Sequence, residues 1–405
     1  MRNTHPPFAP TAAAARARLA AFAPAAGGAY AQKRNFDLGA GAHTHVSALS
    51  PYVRMKLLDE ADLSRAVLAQ MDAGAADKFL MEVWWRPYWK GWMEQRPAVW
   101  AQYRDDLVRL RNEGQTQSGL RAQWEAACLG QTGIAPFDHW AQELAQTGYM
   151  HNHARMWFAS IWIFTLGLPW QLGADFFLRH LLDGDAAVNT LSWRWVAGIQ
   201  TQGKTYLARP DNIAKFTNGR FMGVQGLARN APPVSAPPVP ARSVIPDLAP
   251  YSGAPGDRVG LLLHSDDIMT PSLEALQITP VATAYLACTG GQSPWATSPV
   301  VTDFRTALLR DVAPQAHVLA DEGALEAWAR SHGLDQIITP HAPVGCVRAA
   351  LRRLRKADTV SIHEIRREID TAAWPLATAG FFKFRAHIPE LLDQFTSESP
   401  QNRLI

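Results

Sequence analysis

Cysteine is scarce in this sequence, and its spacing excludes several kinds of site. The 405 residues include only Cys128, Cys288 and Cys346, which are far apart and odd in number. A disulfide framework, a cysteine-ligated metal or an iron–sulfur cluster would need more cysteines at closer spacing. The composition therefore fits a reducing compartment, and we expect a cytoplasmic protein.

Long apolar runs are also missing. The most apolar stretch, residues 157–170, is interrupted by Ser160, Thr165 and Pro169. It is shorter than the roughly 20 residues that cross a bilayer. We interpret this stretch as a buried helix and expect no contact with a membrane.

Acidic residues are absent before Asp37, while Arg16 and Arg18 lie among alanines. This composition superficially resembles a transit peptide. An ordinary helix over residues 11–22 is the favoured interpretation, because alanine, arginine and leucine are strong helix formers and Thr11 can cap the first turn.

Charge is modest, with a net value of +3 and a pI near 8.8. Such a balance permits contact with phosphate groups but does not require it. His43 and His45 could suggest a metal site. No third ligand follows them at a useful spacing, so we predict no bound metal.

Residues 231–256 contain eight prolines and mark the clearest domain boundary. After this linker, short apolar runs bounded by turn residues alternate with helical segments, a pattern that predicts a parallel sheet of β–α units. The expected strands are 259–263, 281–288, 317–320, 336–339 and 359–362, and the expected helices surround 304–309, 325–330 and 347–354. No GxGxxG fingerprint follows the first strand. The HSDD sequence at 264–267 follows that strand instead. It predicts either a ligand-binding turn or a solvated loop.

The stretch 148–195 organises the first part of the chain. Asn152, Arg155 and Met156 have helical spacing and so share one face of a helix. An acid-rich segment with Asp183 and Asp185 lies later in the same stretch. Together these segments predict the walls of a pocket.

Three motifs in this stretch carry a resemblance. GYMHNHARM, DGDAAVN and WRW, in this order, resemble the MHNRxRM, DGDxAxN and WQW motifs of the photolyase/cryptochrome family, which surround a folded FAD. The similarity extends over residues 30–195. It implies an all-helical FAD-binding domain over 1–230, a linker over 231–256 and a smaller α/β domain over 257–405, in a mostly α chain. That family places its α/β domain first, so we interpret the order here as a circular permutation; an unrelated α/β domain is the alternative.

The resemblance also implies a set of residues that bind FAD. LSPYV after a glycine-rich loop is similar to the family's diphosphate-binding segment, with Val46 where threonine is usual, and glycines and free N–H groups at a helix start suit an anion. FLMEVWWRPY is similar to the family's FLxELIWREF, although Pro87 stands where glutamate is usual and should end or kink that helix. The implied FAD-binding residues are Tyr30, Ser47, Ala48, Leu49, Ser50, Phe79, Glu82, Arg86, Tyr149, Asn152, Arg155, Asp183, Asp185 and Asn189.

Individual roles follow from the same resemblance. Asn189 would meet flavin N5, where a neutral amide can accept a hydrogen bond from the reduced ring without adding negative charge. Arg155 and Asp183 would form a buried pair beside the ring. Simpler interpretations stay open, since Asp183 and Asp185 could be helix caps and Asn152 a turn residue.

Electron transfer and substrate binding are assigned in the same way. Trp193 matches the proximal tryptophan of the family's electron chain and Trp170 the middle one, whereas Trp124, Trp157 and Trp162 are candidates for an outermost member. The residues implied to hold a flipped pyrimidine dimer, with Glu82 bonding its base edge, are Glu82, Trp85, Asn152, Met156 and Trp195.

Two functions stay open. The first is a light-driven DNA photolyase that splits cyclobutane pyrimidine dimers, with damaged DNA as its partner. The second is a cryptochrome-like photoreceptor or signalling flavoprotein without repair activity, and His153, which replaces an arginine of the lesion side, argues for a changed pocket. The sequence does not decide the antenna pigment, the oligomeric state or a signalling partner.

Overall fold

A computed structural model describes residues 8–254, 256–269, 273, 276–287, 291–357 and 360–397. Cys288 lies outside these ranges. Within them, no helix is both long enough and apolar enough to cross a membrane.

The first part of the chain is helical, as its composition predicts. Thr11 caps the first helix by accepting a hydrogen bond from the N–H of Ala14, and Asp59 forms a reciprocal capping box with Asp62. The α-helices are α1 Ala12–Phe22, α2 Gly28–Lys33, α3 Ser50–Arg54, α4 Glu60–Leu68, α5 Asp77–Glu94, α6 Ala98–Thr116, α7 Ser118–Leu129, α8 Ala135–Thr147, α9 Asn152–Ser160, α10 Trp170–His180, α11 Ala186–Val196 and α12 Pro210–Phe216.

Helix α5 contradicts one of the two expectations for Pro87. The helix continues through Pro87 to Glu94, so the predicted early end is wrong, whereas the predicted kink stays a prediction. Burial explains the continuation, because Trp84, Tyr88 and Trp92 on both sides of the proline are all packed in the core. Tertiary packing of these rings outweighs the single backbone hydrogen bond that proline removes.

The proline-rich segment lies extended against the helical part. Residues 230–254 form neither helix nor strand. The N–H of Val234 donates to the carbonyl of Ala197, and the N–H of Ser243 donates to that of Gln95. The segment is therefore fastened to the helices at two points along its length.

The sheet has the predicted parallel architecture. Its strands in the described residues are β1 Val259–His264, β2 Ala282–Leu286, β3 His317–Leu319, β4 Gln336–Pro340 and β5 Ser361–Ile365. They lie in the order β3-β2-β1-β4-β5, and every neighbouring pair is parallel. Helices α13 Pro299–Val312, α14 Glu322–Ser331 and α15 Cys346–Ala357 alternate with the later strands. The mostly helical chain with a smaller parallel sheet confirms the predicted fold class.

The C-terminal helices return to the first part of the chain. These are α16 Glu368–Ala373, α17 Phe381–Arg385 and α18 Ile388–Thr396. The backbone of Trp374 packs so closely on Gly91 of α5 that a Cβ there would lie 2.5 Å from the Trp374 carbonyl oxygen. Arg385 forms an ion pair with Asp77 at the start of α5. The C-terminal helices thus share one hydrophobic core with the helical part.

Candidate functional site

Helices α5, α9 and α11 and the loop before α3 enclose a cavity of about 790 Å³. This volume lies in the upper part of the range for small-molecule and cofactor sites. The predicted residues that line it are Tyr30, Ser47, Ala48, Leu49, Ser50, Phe79, Glu82, Trp85, Arg86, Tyr149, Asn152, Arg155, Met156, Asp183, Asn189, Trp193 and Trp195.

Asp185 is the one predicted FAD-binding residue that does not line the cavity, and its predicted contact with the cofactor stays a prediction. Its carboxylate caps α11 by accepting from the N–H groups of Ala187 and Val188. It also lies 3.2 Å from the ammonium group of Lys90. Its Oδ2 also lies 3.9 Å from Nη1 of Arg86, which lines the cavity. Asp185 is therefore a buried capping residue of α11, the alternative that the sequence left open.

The serine loop approaches the cavity through an unusual backbone. Ala48 has a φ of 49°, in the left-handed region that residues other than glycine seldom adopt. Helix α3 begins immediately afterwards at Ser50. Strained backbone of this kind persists where surrounding contacts hold it and is common at binding sites.

Arg155 and Asp183 form the expected pair on one wall. The guanidinium donates from Nη1 to Asp183 Oδ2 at 3.0 Å and from Nε to the carbonyl of Met150 at 2.9 Å. Burial tends to raise the pKa of the Asp183 carboxyl, but Arg155 outweighs it, so the pKa is lowered. The wall therefore presents a paired charge that stays ionised at neutral pH.

Asn189 presents one side of its amide to the cavity. Its Nδ2 donates to the carbonyl of Ala174 at 2.7 Å. The amide nitrogen is thereby held on α10, and the side-chain oxygen is the atom that can accept a hydrogen bond from a ligand. An accepting oxygen is what the predicted role at flavin N5 needs, and that role stays a prediction.

Glu82 already has a partner within the chain. Arg34 donates to its carboxylate at 2.5 Å, and both groups are partly exposed. Burial and the charge of Glu82 raise the pKa of Tyr30 to about 12, so this phenol stays protonated. Sequence analysis assigned Arg34 no role, because this contact joins residues 48 positions apart.

Another part of the cavity wall is aromatic. The indole of Trp85 stacks on Phe381 with ring centroids 3.7 Å apart, and Trp195 lies 6.1 Å from Tyr206 in a stacked arrangement. Phe382, which is 79% exposed, also lines the cavity. Sequence reasoning missed both phenylalanines, since they follow the α/β part and return to the site only in the folded chain.

His153 belongs to a polar edge of the cavity. Its Nδ1 lies 3.0 Å from the carbonyl oxygen of Asn35, and its Nε2 lies 3.2 Å from the hydroxyl of Tyr206. The ring also stacks on Trp157 with centroids 4.1 Å apart. Burial lowers the pKa of His153, so the ring is neutral at physiological pH.

Trp193 lies at the inner end of the cavity and is 2% exposed. Its neighbouring tryptophan is Trp162, with ring centroids 6.1 Å apart in an edge-to-face arrangement. Trp170, the predicted middle member of an electron chain, stacks instead on Tyr103 at 5.7 Å. Direct ring contact thus favours Trp162 as the next tryptophan after Trp193.

Two buried nitrogens at the cavity lack a hydrogen-bond acceptor among the described residues. They are Nη1 of Arg86 and Nε1 of Trp193. Buried donors in folded proteins are normally satisfied, and the Asp185 carboxylate is 3.9 Å from Nη1 of Arg86, so the expected partner of each nitrogen is a polar ligand or a water molecule in the cavity. In the same part of the chain, no group of three or more His, Cys, Asp and Glu side chains is placed to hold a metal ion.

A helical domain with a deep, partly aromatic cavity, a paired arginine and a fixed amide defines a site for a large planar cofactor. Comparison with known proteins also indicates a site for such a cofactor. A family model described as "FAD binding domain of DNA photolyase" matches residues 79–219. Residues 79–219 of this chain therefore match the FAD-binding domain of DNA photolyases, and FAD is the cofactor of this part of the chain.

Curated relatives cover the same part of the chain. The deoxyribodipyrimidine photo-lyase of Streptomyces griseus is 33% identical over 199 residues, which is 46% of this chain and 42% of the relative. That of Escherichia coli K12 is 30% identical over 197 residues, or 48% and 40%. The chain thus matches about two-fifths of the length of these relatives.

Solved structures are similar over about half of the chain. A class III photolyase from Agrobacterium tumefaciens has a TM-score of 0.43 and 25% identity, covering 51% of this chain and 43% of its own. A cryptochrome from Synechocystis sp. PCC6803 has a TM-score of 0.42 and 21% identity, with the same two coverages.

Proposed function

We propose that this protein is a light-driven, FAD-dependent lyase that splits cyclobutane pyrimidine dimers in DNA. The observation that carries the proposal is that the five residues proposed to hold the dimer line the same cavity as the residues proposed to hold the flavin, Asp185 excepted. These five are Glu82, Trp85, Asn152, Met156 and Trp195. Relatives named as photo-lyases support the proposal.

The chemistry that FAD supplies, when bound reduced and excited by blue light, is transfer of one electron. This chain's residues would prepare the site for it. Asn189 fixes a hydrogen-bond acceptor at one position of the cavity, and the Arg155–Asp183 pair supplies balanced charge. Trp85 and Trp195 offer ring faces on which a pyrimidine dimer that has been flipped out of the duplex can stack.

Glu82 would accept hydrogen bonds from the base edge of the dimer. Its present partner is Arg34, and the two side chains are 25% and 27% exposed. An ion pair that solvent reaches contributes less stability than a fully buried one, so a ligand can replace it at moderate cost. When a base N–H of the dimer replaces Arg34 as the donor, the Glu82 carboxylate would keep a hydrogen-bond partner both with and without bound DNA.

A second function, a cryptochrome-like photoreceptor without repair, is favoured by the same contact. If the Arg34–Glu82 pair persists, the carboxylate is unavailable to a base. Arg34→Met separates the two functions, because it frees Glu82 while keeping a long apolar stem. A lyase should bind dimer-containing DNA at least as tightly after this change, whereas a photoreceptor should bind it no better than undamaged DNA before or after.

The decisive experiment begins with the absorption spectrum of the purified protein. We expect oxidised flavin bands that bleach under blue light with a thiol donor. A gel shift with dimer-containing DNA, followed by blue-light repair of that DNA, then tests the lyase. Absence of lesion-dependent binding would remove the lyase proposal, and absence of flavin bands would remove both functions.

We further propose that the order of domains is a circular permutation of the family architecture. The parallel order β3-β2-β1-β4-β5 supports this proposal, as does the return of α16, α17 and α18 to the helical core. A rearranged chain with residues 257–397 placed before residues 8–256 should fold and bind FAD. Loss of FAD binding in a folded rearranged chain would contradict the proposal.

A further inference from the structure

The HSDD turn has neither of the two roles that its sequence allowed. His264, Ser265, Asp266 and Asp267 are all at most 6% exposed, so the turn is not a solvated loop. It follows β1 at the carboxyl end of the sheet, where parallel sheets usually bind ligands. Here a side chain from the helical part occupies that position.

That side chain is Arg54, at the end of α3 and just after the serine loop. It is 4% exposed. Its Nη2 donates to Asp266 Oδ1 at 2.5 Å, and its Nη1 donates to the carbonyl of Ser265 at 3.1 Å. The guanidinium thus fills the crevice of the sheet and is held there by the turn.

The third nitrogen of Arg54 reaches the cavity wall. Nε donates to the carbonyl of Gly184 at 2.6 Å, and Nη2 of Arg305 reaches the same oxygen at 3.4 Å. Gly184 lies between Asp183, the partner of Arg155 in the cavity, and Asp185, the cap of α11. Helix α11 carries Asn189 and Trp193, so this carbonyl is a fixed point for that wall.

Asp266 is the carboxylate nearest to the Arg54 guanidinium. The other carboxylate near the guanidinium is Asp185, 3.9 Å from Nε. That carboxylate is already 3.2 Å from the ammonium group of Lys90. Without Asp266, the attraction of Asp185 would be the main one left, and Arg54 would be drawn away from the turn and from the geometry that holds Gly184.

We propose that Asp266 is a positioning residue of the flavin site: it holds Arg54, and Arg54 holds the Gly184 carbonyl between Asp183 and α11. A second contact between the same parts supports the proposal: the N–H of Ile268, next to the turn, donates to the carbonyl of Met55, next to Arg54, at 3.0 Å. The proposal rests on FAD binding, which is part of the proposed function, and is independent of DNA repair.

The neighbouring residue Asp267 provides a matched control. It lies in the same turn, is equally buried and also binds an arginine, since Arg367 donates to its two oxygens at 2.6 and 2.9 Å. Arg367 continues to Asp59 at the start of α4. This second pair joins the α/β part to the helices without contacting Gly184 or α11.

The test compares Asp266→Asn with Asp267→Asn in the full-length protein. FAD affinity is measured by titrating the apo-protein, the flavin environment by the resolution of the visible absorption bands, and stability by urea unfolding. We expect Asp266→Asn to weaken FAD binding by about tenfold, the effect of misplacing one charge-assisted hydrogen bond, and to change the flavin bands. Asp267→Asn should lower stability to a similar extent and leave both flavin readouts unchanged.

Two further variants complete the test. Asp266→Glu should restore most of the FAD affinity, because it retains the charge that holds Arg54. Arg54→Lys should reproduce the flavin effects of Asp266→Asn even if that variant does not fold, because an ammonium group cannot bind Asp266 and Gly184 together as the planar guanidinium does. Equal flavin effects in Asp266→Asn and Asp267→Asn, or wild-type affinity and bands in Asp266→Asn and Arg54→Lys, would overturn the proposal. A wild-type protein that takes up no FAD would refute the proposed function itself.

Discussion

Trp85 and Phe381 stack face to face, with ring centroids 3.7 Å apart and planes inclined by 9°. The two residues are almost 300 positions apart, and the contact joins α5 to α17. Phe381 is 4% exposed, whereas Trp85 is half-buried and lines the cavity. One face of the indole is therefore supported by the C-terminal helices while the residue remains part of the cavity wall.

Removal of the Phe381 ring that supports Trp85 should destabilise the folded protein. We expect Phe381→Ala to lower the free energy of unfolding by about 3–5 kcal/mol, the usual cost of removing a buried phenylalanine ring. Phe381→Leu should cost less, since it fills most of the same space. Urea unfolding measures both values. Phe382→Ala is the control, because that ring is exposed, and an equal loss in this control would contradict the assignment.

The route of the electron can be tested at three tryptophans. Trp193→Phe should abolish most blue-light bleaching of the oxidised flavin bands, because its ring lines the cavity. Trp162→Phe should slow bleaching more than Trp170→Phe does, because Trp162 contacts Trp193 whereas Trp170 stacks on Tyr103. The initial rate under a fixed light intensity is the measurement. The reverse order of the two effects would restore Trp170 as the middle member.

Asn189→Asp should shift which reduced state of the flavin accumulates under light. A carboxylate would add negative charge beside a reduced ring that is itself anionic, which disfavours that state electrostatically. The absorption spectrum during photoreduction reports the change. Asn189→Gln serves as a neutral comparison, and an unchanged spectrum in Asn189→Asp would count against the placement of this amide at N5.

The stability of the protein should depend on pH through His151. Burial, together with the nearby histidines and Arg155, lowers the pKa of this side chain to about 3. Its Nδ1 caps α9 by accepting from the N–H of His153 at 3.2 Å. In the unfolded chain the ring binds a proton near pH 6.5, so stability should fall as the pH drops from about 6.5 towards 3, by up to about 1.4 kcal/mol per pH unit.

The variant His151→Asn isolates this effect, because asparagine can cap a helix but does not titrate. Its unfolding free energy should decline less steeply than that of the wild type between pH 6.5 and 5. Parallel slopes for the two proteins would show that other groups cause the loss.

Much of the fold and many site residues were predictable from local sequence. The helical spacing of Asn152, Arg155 and Met156 placed them on one face of α9, and all three line the cavity. The five parallel strands follow the apolar runs closely, because turn residues and β-branched side chains mark strand limits within a few positions. Motif resemblance added FAD, which spacing alone could not.

Tertiary structure decided what depends on distant partners. Pro87 remains inside a helix because buried aromatic rings hold both of its sides. Asp185 became a cap with Lys90 beside it, and Glu82 gained Arg34.

The sequence by itself determined the elements and the chemical types of the cavity residues, because helix and strand periodicity and motif spacing are properties of neighbouring positions. Only the tertiary structure determined that Phe381 supports Trp85 and that Asp266 holds Arg54 against Gly184. Contacts between residues hundreds of positions apart depend on how the chain returns to its own core, and no local pattern encodes that geometry.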